Sequence, residues 1–192
     1  LSLHDALPIL QVEVLVVGPG IETGMPVLYD PPKDVGADRI VAALAAHEFH
    51  ARTPSGESGA VIVVDFGTAT TFDVVSPKPE YLGGVIAPGI GISADALFQR
   101  AAKLPRVDVA KPDSVIGRNT VSAIQSGLFY GYVGLVEGVL RRLRGAIEWP
   151  ARVIATGGLA RKVAPETDAI DVVDDNLMLE GLRLIWQRNR KP

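Results

Sequence analysis

An α/β fold is predicted for this 192-residue chain. Residues 60–65 (AVIVVD) and 151–155 (ARVIA) are short runs rich in β-branched residues, as in strands covered on both faces. Between them, from Asn119 to about Arg144, apolar residues recur at helical spacing. Hairpin strands followed by helices, then strand–helix units, give the mixed order of an α/β chain.

The elements follow in order. Residues 11–17 (QVEVLVV) read as a buried strand and 21–26 as a loop. Residues 27–29 are a short extended piece ended by Asp30-Pro31-Pro32. A helix is predicted over 37–52, with Ile40, Val41 and Leu44 on one face and alanines filling the rest. Residues 53–59 (TPSGESG) form a surface loop. The strand at 60–65 turns through Gly67-Thr68-Ala69-Thr70 into a second strand at 71–75. A third strand, 81–86 (YLGGVI), leads to a helix over 93–103 and an irregular connection to Gly117. The long helix carries an apolar line of Val121, Ile124, Leu128, Tyr132, Leu135, Val139 and Leu143. It also carries Gly127, Gly131, Gly134 and Gly138 on one face. Each exposed helical glycine costs about 0.8–1 kcal/mol against alanine, so a close approach is expected there: internal packing on the sheet, or a subunit interface. The strand at 151–155, a short helix at 159–163, a strand at 170–173 and a helix at 177–189 capped by Asn176 complete the chain.

Composition excludes several classes. Nineteen basic against 22 acidic residues give a net charge of −3, so no basic field exists to hold nucleic acid or an anionic membrane. The absence of cysteine removes disulfides, thiolate nucleophiles and Cys-ligated metals. His47 and His50 read as structural, since no HExxH pattern accompanies them. No apolar run approaches the ~20 residues that span a bilayer, and no signal peptide is read at the start. A cytoplasmic protein is expected. The first nine residues read as a non-native junction.

Two segments are the best chemical candidates. Asp65 ends a buried strand and is followed by Gly67 and Thr68. Glycine allows close backbone approach to a phosphate, hydroxyls and turn N–H groups bond its oxygens, and a carboxylate holds a neutralising cation. A structural hairpin with a side-chain-bonded turn fits the same residues. In Gly36-Ala37-Asp38-Arg39, Asp38 sits in the first turn of a helix. There it serves either as an N-terminal cap or as a base near a substrate hydroxyl, with Arg39 gripping a substrate anion. Tyr29 lies upstream, placed to fold over the same pocket. The pairs Gly83-Gly84 and Gly157-Gly158 read as turns after strands. No GxGxxG, Walker A or GxSxG motif occurs.

Taken together, residues 29–39 (YDPPKDVGADR), 64–71 (VDFGTATT), 81–89 (YLGGVIAPG), 103–105 (KLP), 117–120 (GRNT) and 156–160 (TGGLA) resemble type III pantothenate kinases. The resemblance implies the acetate and sugar kinase, Hsp70 and actin superfold, with two ribonuclease-H-like lobes and ATP between them. Residues 10–59 would belong to the first lobe and 60–192 to the second. It implies ATP-dependent phosphorylation of pantothenate, the first step of coenzyme A synthesis. By likeness Asp38 is the base, and Tyr29, Gly36, Ala37, Asp38 and Arg39 line the pantothenate pocket. Thr120 reaches pantothenate across a homodimer. Asp65 holds a monovalent cation, K+ or NH4+, Gly67, Thr68, Gly157 and Gly158 bind ATP, and Mg2+ accompanies the ATP.

One departure is visible. The family opens with a strand and an Asp-x-Gly-Asn-Thr turn that cradles the ATP phosphates, and no such turn precedes Leu10. The expectation is a truncated first lobe and a chain lacking a phosphate-binding element. Two alternatives remain: a non-catalytic relative that binds pantothenate or nucleotide, and a kinase of the same superfold acting on another substrate.

Overall fold

The computed structural model describes residues 14–18, 20–52, 56–101 and 104–190. A single mixed sheet organises them. Its strands are β1 (Ala60–Phe66), β2 (Ala69–Val75), β3 (Tyr81–Pro88), β4 (Ala151–Thr156) and β5 (Val172–Val173), in the order β3-β2-β1-β4-β5. β1–β2 and β2–β3 are antiparallel, and β1–β4 and β4–β5 are parallel. The helices are α1 (Ala37–His50), α2 (Ile90–Arg100), α3 (Thr120–Ala146), α4 (Ala160–Val163) and α5 (Leu177–Asn189).

Both faces of the sheet are covered, and β1 shows why its sequence is an unbroken apolar run. Val61 and Val63 pack with α1 and α5, around Leu44, Leu177 and Ile185. Ile62, Val64 and Phe66 pack on the other face with Phe129, Tyr132, Val136 and Leu140 of α3. Alternation places successive side chains on opposite faces, so a two-sided core needs apolar residues at every position.

Several boundaries and faces differ from the sequence-based expectation. Of the strand expected at 11–17, residues 14–17 are not in the sheet, and 11–13 lie outside the described residues. Val14 and Val16 are exposed, while Leu15 and Val17 pack against the α1 side of the core. The alternation is apolar contact without strand pairing. In the described part of the 53–59 loop, Gly56, Glu57 and Ser58 are exposed, whereas Gly59 is buried and its N–H donates to the Ala51 carbonyl at 2.7 Å. α2 begins at Ile90, because Gly89 in an extended conformation accepts the Ser93 N–H at 3.0 Å and starts the helix early. Gly83 and Gly84 lie inside β3 rather than in a turn after it, beside a register shift at Val74/Val75.

The buried line of α3 is also displaced. Phe129, Val133, Val136 and Leu140 face the sheet together with Ile124 and Tyr132, whereas Val121 is 44% exposed. Two adjacent apolar ridges share those last two positions, and periodicity alone does not choose between them. α3 opens on a reciprocal cap: Asn119 Oδ1 accepts the Ser122 N–H at 2.9 Å, and Ser122 Oγ accepts the Asn119 N–H at 3.3 Å. Asn176 precedes α5 but makes no side-chain cap bond; its own N–H donates to Asp174 Oδ1 at 2.9 Å instead. His47 and His50 take the structural places expected of them. His47 Nε2 lies 3.2 Å from the Pro77 carbonyl, and His50 Nε2 pairs with Asp174 at 2.8 Å.

The glycine face of α3 is open. A Cβ added at Gly127, Gly131 or Gly134 meets nothing within 4 Å, and one at Gly138 meets only the Arg142 guanidinium at 3.4 Å. Packing of this stripe on the chain's own sheet is therefore excluded.

Candidate active site

Side-chain alternation carries polar residues onto the face beneath α1. Val61 and Val63 point there, and Asp65 continues the same face at the end of β1. On β2 that face carries Thr71, Asp73 and Val75, with Asp73 opposite Val63 on one side and Gly84 on the other. The first turn of α1 brings Asp38 and Arg39 over them.

Asp73 is the centre of this cluster and is 1% exposed. Arg39 Nε donates to its Oδ1 at 2.7 Å, and Arg39 Nη2 lies 2.7 Å from the same oxygen. The Tyr81 hydroxyl also donates to Oδ1, at 2.6 Å, and Thr71 Oγ1 donates to Oδ2 at 2.9 Å. Burial works against the charge of Arg39, but the charge of Asp73 and the bond to it prevail, and the guanidinium is held above its ordinary pKa. Burial first, then the Asp73 charge, pushes the Tyr81 hydroxyl well above the usual phenol range. A buried carboxylate is tolerable only with such donors.

Asp38 is exposed, and its Oδ1 accepts the Arg39 N–H at 3.0 Å. This orients the carboxylate within the first helical turn, while the N-cap, Gly36, makes no side-chain cap bond. Gly36 makes room for it, since a Cβ there would collide with Asp38 Oδ1. Tyr29 joins the group through the backbone. The Leu28 N–H donates to the Tyr81 carbonyl and the Tyr81 N–H to that of Pro26, both at 2.8 Å. The Tyr29 ring lies 3.4 Å from where a Cβ on Gly83 would stand, and Gly83 has φ +119. Tyr29, Gly36, Ala37, Asp38 and Arg39 thus come together as the sequence predicts.

The predicted phosphate-facing residues gather at one sheet edge. The β1–β2 turn is reduced to Gly67 and Thr68, both exposed, and the Gly89 N–H donates to the Thr68 carbonyl at 3.1 Å. Asp65 and Thr156 are register partners on parallel strands, which sets Gly157 beside Asp65. A Cβ on Gly157 would stand 2.7 Å from the Phe66 nitrogen and collide with Asp65 Oδ1; its φ of +89 adds a second reason for glycine. Next to this turn lies a cavity of about 400 Å³ lined by Ile90, Phe129, Leu159, Lys111, Arg161 and Lys162 among others.

Asp65 is half-buried. Burial first, then the charges of Asp38 and Asp73, raises its pKa above the ordinary carboxylate value. A raised folded-state pKa favours the fold below the unfolded pKa, an advantage lost as pH climbs through the raised value. Asp65→Asn is therefore expected to raise Tm at pH 7 in buffer free of K+ and NH4+, with the difference vanishing below the normal aspartate pKa. Melting curves of both proteins across that range check it.

Thr120 stands apart. It is exposed at the start of α3, on a cavity of about 790 Å³ lined with Ser93, Leu97, Gly117, Ala123 and Leu128. No described contact joins it to the Arg39 cluster within one chain. Sequence reasoning missed Asp73 and the role of Tyr81. The available signal was an acid inside the apolar strand run Phe72-Asp73-Val74-Val75. Lys111, Arg161 and Lys162, which line the neighbouring cavity, sit on a loop and a short helix without motif spacing; Lys111 pairs with Glu166 and Arg161 with Asp175.

Comparison with known proteins gives the family of the chain. The family model described as type III pantothenate kinase matches residues 3–142. The chain is 58% identical over 179 residues to the type III pantothenate kinase of Myxococcus xanthus, covering 93% of this chain and 67% of that relative. Against that of Geotalea uraniireducens it is 58% identical, covering 92% and 66%. Against that of Syntrophus aciditrophicus it is 58% identical, covering 93% and 68%. The chain thus spans about two thirds of the length of these curated relatives. A solved structure from Campylobacter jejuni, described as a Baf family transcriptional activator, superposes with a TM-score of 0.57 at 24% identity, over 86% of this chain and 68% of that one. That likeness is one of fold. On the family match and these identities, the chain belongs to the type III pantothenate kinase family.

Proposed function

We propose that the protein catalyses ATP-dependent phosphorylation of pantothenate to 4'-phosphopantothenate, the first step of coenzyme A biosynthesis. The carrying observation is that Asp65 and Asp73 lie on one face of the sheet, and that Arg39, beside Asp38 in the first turn of α1, is bonded to Asp73 on that face, so the substrate side and the phosphate edge border one site. Pantothenate lies against Tyr29, Gly36, Ala37 and Arg39, whose guanidinium faces the substrate's carboxylate. Asp38 accepts the proton of the primary hydroxyl as its oxygen attacks the γ-phosphorus. Phosphoryl transfer needs alignment and charge neutralisation more than covalent help, and Gly67, Thr68, Gly157 and Gly158 leave backbone room for phosphates there. The adjoining cavity, with Lys111, Arg161 and Lys162, takes the rest of the nucleotide.

Asp65 suits a monovalent cation. The carboxylate is half-buried beside Gly157 and the exposed Gly67-Thr68 turn, and among the described residues no cationic side chain pairs with it. Among the described residues no group of three or more metal-ligating side chains exists to cage a divalent ion. K+ or NH4+ would be held by the Asp65 carboxylate and screen phosphate charge, while Mg2+ would arrive on the ATP phosphates.

The sheet order supports assignment to the ribonuclease-H-like lobe of the actin-like ATPase superfold. An antiparallel β3-β2-β1 meander continued by parallel β4 and β5 is the lobe's plan. In that scheme residues 60–192 make the second lobe and 10–59 belong to the first. The assay is the complete gene product with ATP and pantothenate, reading 4'-phosphopantothenate by mass spectrometry beside acetate and a sugar panel. Phosphorylation of pantothenate alone supports the proposal. Binding without turnover would point to a non-catalytic relative.

The open glycine face of α3 is assigned to a homodimer in which Thr120 completes the pocket of the neighbouring subunit. Bulk on that face, as in Gly131→Leu, disrupts close packing, typically at about 1–3 kcal/mol. The expected result is a folded monomer with unchanged helix content and no pantothenate binding, read by sedimentation, circular dichroism and calorimetry. A wild-type monomer that binds pantothenate overturns the shared pocket.

A further inference from the structure

We infer that Asp73 is a positioning residue for pantothenate recognition, acting through Arg39, with Tyr81 and Thr71 holding the carboxylate in place. The inference rests on the function proposed above and extends it to residues on two other strands.

Arg39 sits on a surface helix turn, and a long arginine side chain there has many rotamers to lose before it can grip an anion. Asp73 removes that freedom. It lies on β2, whose backbone is paired on both sides by β1 and β3, so its position is set by two ladders. The Arg39 Nε and Nη2 both address one carboxylate oxygen at 2.7 Å, which fixes the plane of the guanidinium. The same oxygen takes the Tyr81 hydroxyl at 2.6 Å, and the other takes Thr71 at 2.9 Å. Gly84, the β3 neighbour of Asp73, keeps the space clear: a Cβ there would stand 3.1 Å from Arg39 Nη2. The Tyr81 ring lies 5.8 Å under the guanidinium carbon. Two adjacent strands, β2 and β3, therefore converge on one arginine. Two of its nitrogens are committed to Asp73, and the remaining edge carries the N–H groups left for a substrate carboxylate.

The test is a kinetic cycle in the complete gene product. Asp73→Asn keeps the shape and an acceptor for Arg39, and the Thr71 hydroxyl can turn to accept from the amide. Its expected effect is a rise in pantothenate KM of about tenfold or more, with kcat and ATP KM changed less than about twofold, the scale set by a charge-assisted bond. Arg39→Gln is expected to raise the same KM. In the Arg39→Gln background, Asp73→Asn should add nothing, because the residue it acts through is gone. Tyr81→Phe, which retains the ring, supplies a gentler second probe with a rise of roughly threefold and the same loss of effect without Arg39. Independent, multiplying effects of Asp73→Asn and Arg39→Gln overturn the inference. So does a fall in kcat with unchanged pantothenate KM. A wild-type protein that does not phosphorylate pantothenate fails earlier and overturns the proposed function with it, so the two failures are distinguishable.

Discussion

Asp38→Asn in the complete gene product is expected to lower kcat by about 10²–10⁴-fold while ATP affinity is unchanged. The amide keeps an oxygen for the Arg39 N–H, now taken at 3.0 Å, and fits the space that Gly36 leaves. The first turn of α1 is thus preserved, and only the capacity to accept a proton is removed. A steady-state assay beside ATP calorimetry separates chemistry from folding. A kcat near that of the wild type removes Asp38 from the role of base and leaves it only its bond within the first helical turn.

Gly84→Ala is expected to have the largest effect on stability of any one-carbon change in the site. The new Cβ collides with the Phe72 carbonyl and stands 2.9 Å from its carbon, on the strand that β3 pairs with. A backbone carbonyl has no rotamer into which it can retreat. Overpacking of this kind costs about 1–3 kcal/mol, which for a domain of this size lowers Tm by roughly 2–12 °C. Because β2 must shift, Asp73 shifts with it, and pantothenate affinity is expected to fall in the same variant. A melting curve unchanged within a degree would mean that β3 relaxes without disturbing β2.

The sheet strands were legible because each has a local pattern. An apolar β-branched run such as 60–65 has few alternatives, and the tight Gly67-Thr68 turn announces the hairpin. The first turn of α1 was legible for a similar reason, since Gly36 and Asp38 are adjacent in sequence and act on each other. What sequence could not reveal was the partner of Arg39. Asp73 is far away along the chain, and only the register Val63–Asp73–Gly84 sets it beneath α1. The face of α3 escaped for a different reason. Two apolar ridges satisfy helical spacing equally, and the sheet selects the one with Phe129, Val133, Val136 and Leu140. The glycine stripe had two readings until the sheet was in place, because a small side chain reports close approach without reporting what approaches.

The strand order has a consequence for synthesis of the chain. β1, β2 and β3 are consecutive and pair with neighbours already made, whereas β1's other partner, β4, begins 85 residues after β1 ends (Phe66 to Ala151). At about 5–20 residues per second, that edge of β1 waits roughly 4–17 s on the ribosome before β4 is translated. During this wait Val61, Ile62, Val63 and Val64 present unpaired N–H and C=O groups on a strand with no charge to repel another nascent chain. The same central strand that gives the finished protein its two-sided core is thus its most exposed aggregation template while it is being made. Slowing translation between residues 88 and 151 would lengthen that exposure, and a chaperone that covers the open edge would shorten it.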